Sequence, residues 1–143
     1  MKKILCVALI ALSGFATRAA APTGDNNKGT ASYYHDKFEG RRTANGEVFS
    51  QDKFTAASNR HKLGTYLKVT NLSNNKVVYV KINDRLAATN KRILDLAEVA
   101  AEELNYIDQG LAKVKVEVVT PEEGRRKILA QREARGMEPN NRL

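Results

Sequence analysis

Apolar and polar residues alternate most cleanly in two adjoining stretches. In "YLKVTNL", Leu67 and Val69 fall on one side and Lys68 and Thr70 on the other. In "KVVYVKI", Val78, Val80 and Ile82 share a side. A period of two predicts half-buried strands. The intervening "SNN", Ser73 to Asn75, predicts a turn, because Asn tolerates positive φ. Together they predict a β-hairpin. "GTASYY" predicts a first strand. "LAKVKVEVV" predicts a last one, with Ala112, Val114, Val116 and Val118 facing one way. The stretch "HDKFEGRRTANGEVF" is polar and Gly-punctuated, so mostly loop is expected, with a short strand at Glu47 to Phe49.

The period changes after Asp95. "DLAEVAAEELNY" places Leu96, Val99, Ala100 and Leu104 on one helical face, with Asp95 or a neighbour as its cap. Past Val119, "TPEEGRRKILAQREARG" opens with capping-box spacing from Thr120 to Glu123 and has Pro121 at the first helical position. Gly136 fits the stop. This second helix is charged and weakly amphipathic, and reads as a solvated tail, a partner-docking element or a membrane-surface element. The whole predicts a small, mainly β unit of about six short strands and one helix, closed into a barrel because closure removes exposed edges.

The first 21 residues have a different character. Lys2 and Lys3 precede the apolar run Ile4 to Phe15, and small residues follow up to Ala21. A charged start, a short apolar core and an A-x-A-like site predict a signal peptide cleaved near Ala19 to Ala21. The run is shorter than the roughly 20 residues a membrane span needs. Export to the periplasm or cell envelope is therefore expected. Cleavage removes Cys6, the only cysteine, which is not expected to be lipid-modified. The remainder divides into a linker at 22–27, a body at 28–119 and a tail at 120–143. It keeps 21 basic and 16 acidic residues, a net charge of +5. That balance suits an anionic wall or lipid surface. Scattered basic residues and export argue against nucleic acid.

Candidate chemistry lies where the second hairpin strand ends. Asn83, Asp84 and Arg85 arrive together with no Gly or Pro to mark a plain turn. Glu47 lies in a second polar loop, beside an Asn45-Gly46 turn. Two carboxyl groups meeting at a barrel mouth, with Arg85 and Lys81 near, would match a glycoside-cleaving arrangement. One acid protonates the leaving oxygen, and another group steadies an oxocarbenium-like charge. The bland reading is that Asp84 pairs with Arg85 or caps a turn. Tyr33 and Tyr34 could stack on sugar rings. His35 and His61 are the only histidines and form no metal-ligand cluster, so neither a metal nor a cofactor is expected.

Taken in order, "GTASYY", "FEGRRTANGEVF", "TAAS", "LGTYLKVTNLSNNKVVYVKINDR", "RILDLAEVAAEEL" and "GLAKVKVEVV" resemble the rare lipoprotein A family over Lys28 to Val119. The resemblance implies a six-stranded double-psi β-barrel, related to barwin and expansin folds, in a periplasmic septal-ring protein acting on peptidoglycan. Active members are lytic transglycosylases that prefer glycan strands stripped of stem peptides. In them the C6 hydroxyl of N-acetylmuramic acid attacks its own C1, giving a 1,6-anhydro end without water. One carboxyl group serves as acid and then as base.

By this resemblance Asp84 is the catalytic acid, and Glu47 a second acidic position needed for activity. Tyr34, Asn45, Ser58, Asn83 and Arg85 are expected to contact or position substrate. The chain departs from the pattern at Ser50 and Ser58, where active members carry Asp and His. It also departs at Tyr33, His35, Leu86 and Ala87. The sugar-binding SPOR domain often appended to the family is not expected in the 24 residues after Val119. The alternative reading is a non-catalytic, expansin-like module that holds glycan. A third reading is a division or envelope scaffold that uses the barrel surface or docks a partner through the tail helix, and under any of the three readings a monomer is expected.

Overall fold

The computed structural model describes residues 25–138. The expected signal peptide and the first half of the linker, 22–24, lie outside the described residues. Six strands close into a barrel: β1 (Lys28–Tyr33), β2 (Thr55–Ala57), β3 (Tyr66–Asn71), β4 (Val77–Asp84), β5 (Leu94–Leu96) and β6 (Ala112–Val119). Their order around the barrel is β1-β5-β2-β4-β3-β6. Two helices complete the fold, α1 (Glu98–Glu103) and α2 (Pro121–Ala134). Among the described residues, no helix is long and apolar enough to cross a membrane.

The β3–β4 hairpin forms as its alternation requires. Leu67, Val69, Val78, Val80 and Ile82 are fully buried, and Asn75 takes φ 59° in the turn. They pack with Ala31, Leu94, Leu96, Val114 and Val116 into one core. Val118 shares the inward side yet is 65% exposed. The reason lies next door: β1 pairs with β6 only as far as Lys28 opposite Lys115, so the end of β6 projects beyond it.

Three expectations are corrected. The Glu47 to Phe49 strand is reduced to a single antiparallel bridge between Arg42 and Val48. Backbone bonds flank that bridge, from the Thr43 amide to the Glu47 carbonyl and from the Phe49 amide to the Arg41 carbonyl, while the Phe49 ring packs on Tyr34. The second correction concerns Asp95, which does not cap a helix. It lies in β5, between β1 and β2, opposite Ser32 and Ala57. Leu94 and Leu96 point into the core around it, and α1 starts at Glu98 after Ala97, whose side chain makes no cap bond.

The third correction concerns the tail. α2 has the expected ends: Thr120 Oγ1 accepts from the Glu123 amide, and Gly136 takes the positive φ of +68° that a C-terminal stop uses. Yet it is not a solvated tail. Gly124 is buried against Tyr66 so closely that an added Cβ would lie 2.3 Å from the Tyr66 ring. Ile128 packs on the core, and Arg135 pairs with Glu102 and with Glu103 at 2.8 Å. Gln131 makes two bonds to β4, accepting from the Tyr79 amide at 2.6 Å and donating to its carbonyl at 2.9 Å.

Candidate active site

The site assembles where β4 ends. Thr55 pairs with Lys81 and Ala56 with Ile82, but Ala57 pairs with Asp84, so the register slips by one residue. This irregularity lifts the end of β4 out of plain alternation, leaving Asn83 buried and Asp84 half-buried. The loop from Thr43 to Glu47 folds onto that strand end. The Asn45 amide donates to the Asn83 carbonyl at 3.2 Å, and the Ala44 amide to Asp84 Oδ1 at 2.9 Å. Thr43 Oγ1 and the Glu47 amide both donate to Asn45 Oδ1, which fixes the turn.

Asp84 and Glu47 thereby share one hydrogen-bonded network. Asp84 Oδ1 accepts from the amides of Ala44 and Arg85, and Oδ2 accepts from the Tyr34 hydroxyl at 2.6 Å. Three donors on a group with about four lone-pair sites leave one direction open, on Oδ2. Glu47 Oε2 accepts from Asn83 Nδ2 at 3.1 Å and Oε1 from Asn45 Nδ2 at 2.8 Å, with Lys81 Nζ 3.6 Å away. Partial burial alone would raise the Glu47 pKa. The Asn83, Asn45 and Lys81 donors outweigh it and hold Glu47 below the usual carboxylate range. Glu47 is thus a standing negative charge.

Asp84 is not closed in an ion pair. The Arg85 guanidinium turns away to the carbonyls of Ser58, at 2.5 Å, and His61. Of the residues expected to meet substrate, three lie below the surface. Tyr34 is 6% exposed, Asn83 1% and Ser58 0%. Tyr34 packs between Phe38 and Phe49, where burial and then the Asp84 bond push its pKa well up, so its hydroxyl stays a donor. Ser58 reaches neither carboxylate. Its amide donates to the Asp84 carbonyl, while Oγ accepts from the Arg60 amide and lies 3.3 Å from His61 Nδ1. Ser50 Oγ accepts from the Asp52 amide, closing its own turn. Asn45 and Arg85 remain at the surface.

A third carboxylate stands at this face. Asp84, Ala57 and Asp95 occupy one row across β4, β2 and β5. Asp95 Oδ1 accepts from Ser32 Oγ, which in turn accepts from Arg92. Burial pushes its pKa up to about 6 against the pull of Ser32 and Arg92, with the Asp84 charge adding to the rise. The only trace of this in the sequence is the alternation Leu94-Asp95-Leu96, too short to separate from the helical period that follows.

Comparison with known proteins supplies the family and the fold. Residues 26–116 match the profile of a family described as lytic transglycolase. The endolytic peptidoglycan transglycosylase RlpA of Haemophilus influenzae is 46% identical over 92 residues, 64% of this chain and 32% of that protein. The Campylobacter jejuni protein of the same name is 44% identical over 96 residues, 67% of this chain and 35% of that one. For Rickettsia bellii the figures are 41% over 114 residues, 78% and 50%. The chain therefore spans half or less of these relatives' lengths. Among solved structures, cerato-platanin 3 from M. perniciosa superposes with TM-score 0.52 at 15% identity, covering 68% of this chain and 98% of that one. A mutant Clavibacter michiganensis expansin solved with cellohexaose gives 0.51 at 20%, covering 66% and 50%. These two share the fold. From its matched span, its closed six-stranded barrel and its relatives, the chain belongs to the RlpA-like double-psi β-barrel family of lytic transglycosylases.

Proposed function

We propose that this chain is an endolytic transglycosylase that cuts peptide-stripped peptidoglycan strands, with Asp84 as acid and base. The observation that carries it is the shared network of Asp84 and Glu47 at the end of β4, with one direction on Asp84 Oδ2 left open. Protonated there, Asp84 gives its proton to the glycosidic oxygen as the C1–O bond breaks. The C6 hydroxyl of the same muramic acid closes on C1, and Asp84 takes back a proton from that hydroxyl. The bond made and the bond broken balance, and no water enters. Glu47, held ionised, supplies negative charge for the oxocarbenium-like centre. Tyr34 and the Ala44 amide fix the orientation of Asp84, and Asn83 does the same for Glu47. Export through residues 1–21 would place the chain in the periplasm, where a septal-ring or division partner could meet the outer face of α2.

Residues 22–143 incubated with peptide-free strands should yield anhydro-ended fragments, read by mass spectrometry. Asp84→Asn should lower their rate by at least about 100-fold while circular dichroism stays unchanged. A second reading is favoured by Ser50 and Ser58, neither of which touches a carboxylate. It takes the chain as a glycan-holding module that captures strands without cutting them. Strand capture with no fragments from the unaltered chain would establish it and end the first reading.

A further inference from the structure

Docking of α2 on the barrel creates a groove of about 560 Å³, within the range of small-ligand sites. One end is Glu47 and Lys81, the near edge of the network around Asp84. The far wall is α2, which presents Arg125, Leu129 and Arg132 at helical spacing. Apolar walls come from Val48, Phe54 and Ile128. Five cations line it, Lys53, Lys81, Arg125, Arg126 and Arg132, against the single carboxylate of Glu47. Among the described residues, only Lys81 of these five pairs with a carboxylate. Arg125 stands 5.9 Å from the Tyr66 ring centroid, and Lys81 lies 6.0 Å from it as well as beside Glu47. Two buried polar atoms of lining residues, Thr55 Oγ1 and Arg132 Nε, have no hydrogen-bond partner within the described chain.

Apolar walls, unpaired cations and continuity with the Asp84 site fit one kind of occupant. It combines apolar faces with a carboxylate and reaches the groove from that site. We propose that the groove between α2 and the barrel binds a muramic acid unit of the strand through its free lactyl carboxylate, with Arg125 and Arg126 as anion partners. A muramic acid unit carries that charge only when its stem peptide is gone, because the peptide is joined through the same carboxyl. The groove would thus select peptide-free strands by charge, and it rests on the reading of Asp84 as the cutting residue. A Glu-rich peptide is the rival occupant.

Binding of fluorescent peptide-free strands is measured with the full chain carrying Asp84→Asn, and cleavage with Asp84 intact. The double variant Arg125→Gln, Arg126→Gln should bind strands about tenfold more weakly and lose much of the salt dependence, since a charged hydrogen bond is removed. Chito-oligosaccharides of equal length, which lack the carboxylate, should bind as before, and Arg125→Lys, Arg126→Lys should restore most of the loss. Without any groove mutation, strands whose carboxyls have been reduced to alcohols should also bind about tenfold more weakly, which keeps the test open if the double variant unfolds. Equal binding of native and reduced strands would overturn the proposal. So would equal loss for both saccharides, or arginine-dependent capture of poly-glutamate with strands indifferent. In each of those results, cleavage by the unaltered chain would still support Asp84. Absence of cleavage with charge-selective binding would sink the Asp84 reading and keep the groove.

Discussion

Asp84 stands in the sequence as a break in alternation, and its partners do not. Tyr34 lies 50 positions away, and only barrel closure brings its hydroxyl within 2.6 Å. Tyr34→Phe removes that donor while the ring keeps its packing on Phe49. Cleavage should fall about tenfold, with the free energy of unfolding changed by no more than about 2 kcal/mol in chemical denaturation. Asp95 offers a second test. Its carboxyl is raised to about 6 from an ordinary 3.8, so the native fold favours the protonated form. Its contribution is therefore whole below pH 4 and is lost as pH climbs to 6. The wild-type chain should lose on the order of 2 kcal/mol over that interval through this group, and Asp95→Asn should flatten the profile. Denaturant midpoints across that pH range check it. Asp95 escaped sequence reasoning because a lone acid between two leucines, followed by helical spacing, looks like a cap.

Elements were legible in proportion to their length. The six- and eight-residue strands β3, β4 and β6 each show several alternations. The three-residue β2 and β5 do not show enough to declare a period, and their pairing depends on neighbours remote in the chain. α2 was visible from its cap, its proline and its closing glycine, while its seat on the barrel was not. That seat turns on Gly124, which in an isolated helix would gain roughly 1 kcal/mol on becoming alanine. Here the added methyl meets Tyr66. Gly124→Ala should therefore reverse the sign, costing about 1–3 kcal/mol or lifting α2 from the barrel. Calorimetry and proteolysis near Pro121 would register either result.

For the whole molecule, closure follows from the sequence pattern in kind but not in order. A small all-β chain must dispose of its edges, yet nothing local dictates that β5 sits between β1 and β2. Nor does anything local show α2 to be part of the body. Removing residues 121–143 should keep a cooperative transition but lower the midpoint by roughly 5–15 °C in a thermal scan, because the cover over Tyr66 is lost. It should also change how the molecules treat one another. β2 is too short to run alongside Tyr79, and Gln131 answers that residue's amide and carbonyl as a strand would. One primary amide thus impersonates a missing seventh ribbon. Stripped of it, the flank of β4 becomes an open template for a second copy, and the shortened chains should adhere to one another.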